Sequence, residues 1–249
     1  MEAHSLVNGA LRLVQPDEKS GLRVNVDTIL LAHFARPKAG ERILEIGCAH
    51  GAISLILAKR GTLLSPRGFD VTGVDIRPDL VELARANAES NGLKAEFVAA
   101  DVREYKKIAP AQSFDRIVVN PPYDEAQSSR RSPSDGRAAA LHGSCCTLED
   151  IIKAAHYLLK NRGRLDLVMR ADRTGELFAL LDKYKTPPKI MLCVHPKPGE
   201  RASVTLVEAM RSGSRGLAVE PPLFIRRDDG EETARPKAAS EILWDGRER

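Results

Sequence analysis

Short apolar runs alternate with longer segments of helical periodicity over the first two thirds of the chain. The runs predict strands at 42–46, 71–75, 95–99, 114–119 and 164–169, and the periodic segments predict helices at 52–60, 78–91 and 148–159. The last of these helices opens with the capping-box spacing of Thr147 and Asp150. Strands and helices that alternate in this order are typical of a mainly parallel sheet covered on both faces.

The pattern changes near the end of the chain, where two β-rich segments follow each other without a helix between them. Residues 189–194 and 203–210 flank the turn-forming residues 196–199, which predicts an antiparallel hairpin. We therefore expect a Rossmann-like, doubly wound sheet of seven strands. The 249 residues fit one α/β domain over 1–227, with an N-terminal segment (1–38), a loop rich in Ser, Arg and Ala (124–146) and a charged tail (228–249).

Composition narrows the class of protein without identifying it. Apolar residues make up 43% of the chain, yet no apolar run is long enough to span a bilayer, and no export signal opens the sequence. The four cysteines lack CxxC spacing, which favours reduced thiols in a cytoplasmic protein. His142, Cys145 and Cys146 lack a fourth ligand at customary spacing, so we expect no metal. The net charge of +4 decides nothing about nucleic acid, and a monomer is the simplest expectation.

A glycine-bearing turn follows the first predicted strand. Small residues at Gly47, Ala49 and Gly51 let the backbone pass close to a ligand at the carboxyl end of a sheet, although a tight strand-to-helix turn needs them as well. The turn is not the dinucleotide pattern, because Ala49 and Ala52 replace its second and third glycines. No P-loop motif occurs in the sequence.

One aspartate, Asp75, ends the second predicted strand, and another, Asp101, lies just past the third. Asp75 is placed to accept hydrogen bonds from the ribose hydroxyls of an adenosine, and Asp101 is placed to accept one from an adenine amino group. Either could instead cap the helix that follows it. Because the carboxyl ends of parallel strands converge on one crevice, we expect these groups to share a site.

The order of these motifs resembles that of the class I S-adenosylmethionine methyltransferases. The resemblance implies that S-adenosylmethionine is the cofactor and that Glu45, Gly47, Asp75 and Asp101 hold it. The departure is Ala49, where many of these enzymes have glycine. Together with their neighbours, the candidate cofactor-binding residues are Asp27, Glu45, Gly47, Cys48, Ala49, Gly51, Asp75, Ile76, Asp101, Val102 and Asn120.

The motif Asn120-Pro121-Pro122-Tyr123 follows the fourth predicted strand of the parallel set. Two prolines forbid a helix and stiffen the turn, which is also true of an ordinary rigid loop. A stiff turn suits amino-group methylation, because an adenine amino nitrogen is a poor nucleophile and must be aligned. Oxygens of Asn120 and Pro121 could accept its two N–H bonds, and Tyr123 could stack on the extruded base. We therefore predict that these four residues are catalytic.

Nearly the whole chain resembles bacterial methyltransferases that modify N6 of the adenine beside the anticodon of a valine tRNA. The matching stretches are 15–16, 21–32, the cofactor motifs, 120–123, 147–150, 198–203, 206–209 and 216–223. The resemblance implies tRNA as the substrate and makes 26–28 part of a lip over the cofactor. Asp27 in that lip is an equally good helix N-cap.

Two basic regions are candidates for the tRNA surface, and the choice between them stays open. The loop offers Arg130, Arg131 and Arg137, whose charges Asp124, Glu125 and Asp135 cancel. The last strands offer Lys197 and Arg201, together with Arg211, Arg215, Arg226 and Arg227. Alternative acceptors are protein glutamine, DNA adenine and rRNA guanine, and a non-catalytic RNA-binding protein on the same fold is the remaining alternative.

Overall fold

The computed structural model describes residues 3–16, 24–121, 146–227 and 229–233. The strands are β1 (Ala3–Leu6), β2 (Leu11–Val14), β3 (Arg42–Ile46), β4 (Asp70–Asp75), β5 (Glu96–Ala99), β6 (Phe114–Val119), β7 (Leu159–Arg170), β8 (Pro188–His195), β9 (Val204–Met210), β10 (Ala218–Val219) and β11 (Leu223–Phe224). The α-helices are α1 (Val26–Phe34), α2 (Ala52–Leu64), α3 (Pro78–Ser90), α4 (Tyr105–Ile108), α5 (Leu148–Leu158) and α6 (Thr174–Lys183). None of these helices is both long and apolar enough to cross a membrane.

Seven long strands form the central sheet in the order β8-β9-β7-β6-β3-β4-β5. The five strands from β7 to β5 run parallel, and β9 lies antiparallel between β7 and β8. The predicted Rossmann-like sheet with a C-terminal antiparallel hairpin is confirmed. Two short strands that were not predicted, β10 and β11, pair with the outer edge of β8. Each has only two residues, which is too short to produce a periodic pattern.

The β1–β2 hairpin, α4 and α6 were not predicted from the sequence either. The hairpin of β1 and β2 has strands of four residues each. Helix α6 buries only Leu177 and Leu181, so its apolar stripe is thin. By contrast, the capping box that opens α5 is confirmed, because Thr147 Oγ1 accepts from the Asp150 amide while Asp150 Oδ2 accepts from the Thr147 amide.

Helices cover both faces of the sheet, as a parallel sheet requires. On one face the core contains Leu31 of α1, Ile56 of α2 and Val81 of α3, together with side chains of the β1–β2 hairpin. On the other face Ile152 of α5 and Leu177 of α6 pack on the strands. The carboxyl ends of the parallel strands lie side by side at one edge of the sheet, where ligands bind in sheets of this kind.

A buried carboxylate holds the amino end of α2 against the sheet. The N-cap of α2 is Gly51, which has no side chain to accept the first amides of the helix. Glu45, at the end of β3, replaces the missing cap, because its Oε2 accepts from the backbone amide and the hydroxyl of Ser54. Burial raises the pKa of Glu45 to about 8, although both Ser54 bonds oppose that rise.

A buried arginine ties three neighbouring strands together at the opposite, amino edge of the sheet. Arg116 of β6 forms ion pairs with Asp166 of β7 and Glu208 of β9, and also with Glu41. Its guanidinium is only 4% exposed. A charge buried this deeply requires such partners, since an unpaired one would be strongly destabilising.

The packing around Gly73 predicts that an added methyl group destabilises β4. A Cβ at Gly73 would lie 2.7 Å from a ring carbon of Phe97 and 2.9 Å from the Cβ of Cys48. Gly73→Ala should therefore lower the free energy of unfolding by about 1–3 kcal/mol in a urea titration. Gly175→Ala is the matched control, because a Cβ there meets nothing within 4 Å. Equal stability of the two variants would contradict this packing.

The Glu45 carboxyl predicts a specific pH dependence of stability. Since its folded pKa of about 8 exceeds the ordinary value of 4.5, the folded state binds the proton more tightly. The stabilisation is complete below pH 4.5 and is lost as the pH rises through 8, at up to about 1.4 kcal/mol per pH unit. Glu45→Gln should remove this decline, so urea titrations from pH 5 to 9 should show a smaller loss for the variant. Parallel pH profiles for the two proteins would contradict the pKa assignment.

Candidate active site

The carboxyl ends of four parallel strands meet at one edge, as the sequence predicts. Ile46 at the end of β3 pairs with Val119 of β6 on one side and with Val74 of β4 on the other. Asp75 in turn pairs with Ala99, the last residue of β5. The residues that follow these strands therefore lie side by side.

The turn between β3 and α2 is fastened to the end of β4 by hydrogen bonds. The amides of Gly47 and Cys48 donate to the carbonyl of Val74 at 2.8 and 3.0 Å. The amide of Ala49 donates to Asp75 Oδ2 at 2.8 Å. The turn thus has a defined shape before any ligand binds.

The glycines of this turn serve different purposes. Gly47 has φ +74°, and a Cβ there would meet nothing within 4 Å, so its backbone borders open space in which a ligand could lie. At Gly51, with φ +88°, a Cβ would lie 3.1 Å from Ala84 and from Phe97, so packing against α3 and β5 requires this glycine. Ala49 adopts a left-handed φ of 45°, which costs a non-glycine residue about 1–2 kcal/mol. Its bond to Asp75 offsets part of that cost.

Three side chains, from this turn and from the end of β3, are directed into the protein interior. Glu45 binds Ser54, and the thiol of Cys48 is 2% exposed, where burial raises its pKa. His50 is also buried, and its ring nitrogens have no hydrogen-bond partner among the described residues. Burial lowers the pKa of His50 to about 4, so the ring is neutral at pH 7. Contact of Glu45 or Cys48 with a cofactor stays a prediction.

Sequence reasoning missed Asn87, which anchors this turn to the N-terminal hairpin. Its side-chain nitrogen donates to the carbonyls of Val14 and His50, both at 3.0 Å, and its oxygen accepts from the amide of Val14 at 2.8 Å. The residue is 1% exposed although it lies on a helix. The signal in the sequence was a polar asparagine on the apolar face of the predicted helix.

Asp75 keeps hydrogen-bonding capacity for a ligand. Its Oδ1 accepts from the amide of Arg77 at 2.9 Å and its Oδ2 from Ala49, whereas a carboxylate can accept about four such bonds. Beside it, the apolar side chain of Ile76 is 48% exposed. An acceptor next to an exposed apolar surface matches the chemistry of an adenosine, with its ribose hydroxyls and flat base.

Asp101 caps the short helical turn that follows β5, which confirms the structural alternative for this residue. Its Oδ1 accepts from the amide of Arg103 at 2.9 Å, and the guanidinium of Arg103 also binds the carboxylate. The hydrogen bond with Arg103 lowers the pKa of Asp101, so the group is ionised at pH 7. Val102 packs partly against the core. A role for Asp101 and Val102 at the cofactor stays a prediction.

Asn120 directly follows β6 and meets the N-terminal segment. Its Nδ2 donates to the hydroxyl of Thr28 at 3.5 Å. Its Oδ1 is buried and has no hydrogen-bond partner among the described residues. Pro121 is buried as well. The other predicted site residues, Pro122, Tyr123, Arg130, Arg131 and Arg137, lie outside the described residues, as does nearly all of the loop 124–146.

The N-cap of α1 is Asn25, so the alternative that assigned this cap to Asp27 was wrong. Asn25 adopts an extended backbone and accepts from the amide of Thr28, whereas Asp27 lies in the first helical turn. An acidic residue is favourable there because of the helix dipole. The contact between Thr28 and Asn120 brings the start of α1 to the site.

The basic residues near the last strands divide between the two edges of the sheet. Lys197 and Arg201 lie in the exposed turn between β8 and β9, at the same edge as Asn120, because Val204 pairs with Arg170 at the carboxyl end of β7. Arg226 and Arg227 follow β11, which pairs with the carboxyl end of β8. Arg211 is at the amino edge, where it donates to the carbonyl of Leu159 at 2.9 Å. Arg215 follows it there, so these two arginines do not belong with the others.

Comparison with known proteins places this geometry among methyltransferases. A curated relative from Bacteroides fragilis, named tRNA1(Val) (adenine(37)-N6)-methyltransferase, is 27% identical over 192 residues, which cover 76% of this chain and 78% of the relative. A relative of the same name from Porphyromonas gingivalis is 35% identical over 172 residues, or 66% of this chain and 65% of the relative. Another from Aeromonas hydrophila is 28% identical over 196 residues, or 78% of this chain and 79% of the relative.

Solved structures support the fold. The chain is similar to a protein described as a predicted O-methyltransferase from Agrobacterium tumefaciens, with a TM-score of 0.67 and 22% identity over 86% of this chain and 95% of that one. A SAM-dependent methyltransferase from Methanosarcina mazei gives a TM-score of 0.51 and 20% identity over 73% of this chain and 96% of that one. A family model described as a methyltransferase domain matches residues 37–195, which include β3 to β8 and every described strand end of the site. The chain therefore belongs to the methyltransferase domain family.

Proposed function

We propose that this protein is an S-adenosylmethionine-dependent enzyme that methylates N6 of an adenine in tRNA, and that the adenine lies in the anticodon loop of a valine tRNA. The observation that carries the proposal is Asn120 Oδ1, a buried acceptor without a partner among the described residues, next to the open backbone of Gly47. Relatives that match most of the chain bear the name of that activity. Such a substrate would place the enzyme in the cytoplasm.

The cofactor fits the edge formed by the ends of β3 and β4. Asp75 would accept from the ribose hydroxyls, Ile76 would cover the adenine, and the backbone of Gly47 would lie beneath the chain that carries the sulfonium. When bound, S-adenosylmethionine supplies an electrophilic methyl group. Asp75 is already held by two backbone amides, so little conformational entropy is lost when it binds the ribose.

Asn120 would align the acceptor. An unpaired buried carbonyl oxygen costs about 1–3 kcal/mol, and an N–H bond from the substrate would recover that cost. The Asn120 oxygen and the Pro121 carbonyl oxygen would hold the two amino protons, so that the nitrogen lone pair faces the methyl group. Tyr123 would stack on the base. This mechanism depends on positioning and needs no general base with a shifted pKa.

The tRNA backbone would contact the exposed side chains at the catalytic edge. Lys197 and Arg201 lie in one turn there, and Arg226 and Arg227 are adjacent through the pairing of β11 with β8. Lys197 forms an exposed ion pair with Glu200 at 3.4 Å, which is weak enough to be exchanged for a phosphate. Arg130, Arg131 and Arg137 remain the second candidate group.

Removal of the Asn120 amide tests the function. Incubated with labelled S-adenosylmethionine and separate pools of tRNA, DNA and protein, the parent should label tRNA and yield N6-methyladenosine after digestion. Asn120→Ala should lower kcat at least about 100-fold, since an oriented hydrogen bond to the reacting group is lost. Asn161→Ala, an exposed asparagine in β7, is the matched control and should retain full activity. Label found only in protein or DNA, or an inactive parent that still binds RNA, would overturn the proposal.

The two ends of β4 provide a test of the cofactor site. Asp75→Asn should weaken binding of S-adenosylhomocysteine at least about tenfold in calorimetry, equivalent to about 1.4 kcal/mol, because the acceptor of the ribose hydroxyls loses its charge. Asp70→Asn changes the first residue of the same strand, which is exposed and paired with Arg42, and should alter the affinity less than about twofold. Equal affinities for both variants would exclude Asp75 from the cofactor site.

A further inference from the structure

We propose that Thr28 is a positioning residue that fixes the polarity of the Asn120 amide, so that the site accepts an amino group and rejects a carbonyl group in the same place. The proposal rests on the proposed function for the identity of the acceptor base. The orientation of the amide itself depends only on contacts within the chain.

The first step concerns Asn25, the N-cap of α1. The backbone amide of Thr28 donates to Asn25 at 2.9 Å. A backbone amide can only donate, so the side-chain atom of Asn25 that faces it must be the oxygen. The orientation of this cap is therefore determined without reference to any ligand.

The second step concerns the Thr28 hydroxyl. It lies 2.9 Å from the same Asn25 oxygen, which can only accept, so the single hydroxyl proton of Thr28 is used in that bond. Thr28 is 8% exposed, which leaves little room for water to exchange with it. Toward any other neighbour, the hydroxyl oxygen can act only as an acceptor.

The third step concerns Asn120. The side-chain atom next to Thr28, at 3.5 Å, must then be a donor, and this is its Nδ2. A flipped amide would bring its oxygen against the hydroxyl lone pairs and would leave the nitrogen without this acceptor. The oxygen is consequently directed away from Thr28, where it has no partner among the described residues.

A fixed acceptor selects the substrate. An adenine presents an N–H donor at position 6, whereas hypoxanthine presents a carbonyl oxygen there and would face Asn120 Oδ1 with lone pairs opposed. Sites that hold a buried, oriented hydrogen-bonding group reject the mismatched analogue strongly, because the protein group stays unpaired. Thr28 would thus contribute to base selection without touching the base.

The test compares RNA binding by the parent and three variants. The probes are a valine tRNA anticodon stem-loop with adenosine at the target position and the same stem-loop with inosine there. We expect the parent and Thr28→Ser to prefer adenosine at least tenfold, and Thr28→Val to reduce that ratio to below threefold, with kcat lowered about tenfold. Thr62→Val, at an exposed position of α2, is the matched control and should retain the parent's ratio.

A purely structural role would weaken binding of both stem-loops equally, and an unchanged ratio in Thr28→Val would overturn the proposal. A second measurement is independent of the substrate. In nitrogen-15 spectra, the side-chain amide signals of Asn120, assigned by their loss in Asn120→Ala, should shift in Thr28→Val and stay in place in Thr28→Ser. If these signals do not move in Thr28→Val, Thr28 does not contact the Asn120 amide. If they move while the parent labels no tRNA, the positioning role holds and the proposed function fails.

Discussion

The hydrogen bonds between the β3–α2 turn and the end of β4 are the constraint on which the site depends. Asp75 accepts the amide of Ala49, and the carbonyl of Val74 accepts the two amides before it. These bonds hold three left-handed residues, Gly47, Ala49 and Gly51, in a shape that leaves backbone open to a ligand. Glu45, at the end of β3, also stabilises the turn, because it accepts from the Ser54 amide and so caps α2. The carboxyl groups of Asp75 and Glu45 therefore shape the turn.

The N-terminal segment is part of this arrangement, although the sheet would be complete without it. Asn87 joins the carbonyls of Val14 and His50, so one buried amide links the β1–β2 hairpin to the turn. Further along the segment, Thr28 contacts Asn120. The residues that follow β3 and β6 are thereby connected to residues that precede β3. A change in the first 28 residues can reach the site through these amides.

Basic side chains at the two edges of the sheet have different surroundings. At the amino edge, Arg116 is buried among carboxylates and serves the packing of β6, β7 and β9. At the carboxyl edge, Lys197 and Arg201 are exposed in a turn that belongs to the antiparallel hairpin. The antiparallel direction of β9 brings this turn to the carboxyl edge, where the parallel strands also end.

Much of the fold could be predicted from the sequence. The alternation of apolar and polar residues is a local feature, and so is the type of residue that ends each strand. They predicted the parallel sheet, the antiparallel hairpin, the capping box of α5 and the position of Asp75 and Asn120 at the same edge of the sheet. The strands of the N-terminal hairpin have only four residues each, which is too short for a distinctive alternating pattern. The tertiary structure alone decided that Asn25 caps α1, that Arg211 turns to the amino edge, and that Thr28 meets Asn120. Thr28 and Asn120 are 92 positions apart, and only the packing of α1 on the sheet determines which polar groups become partners.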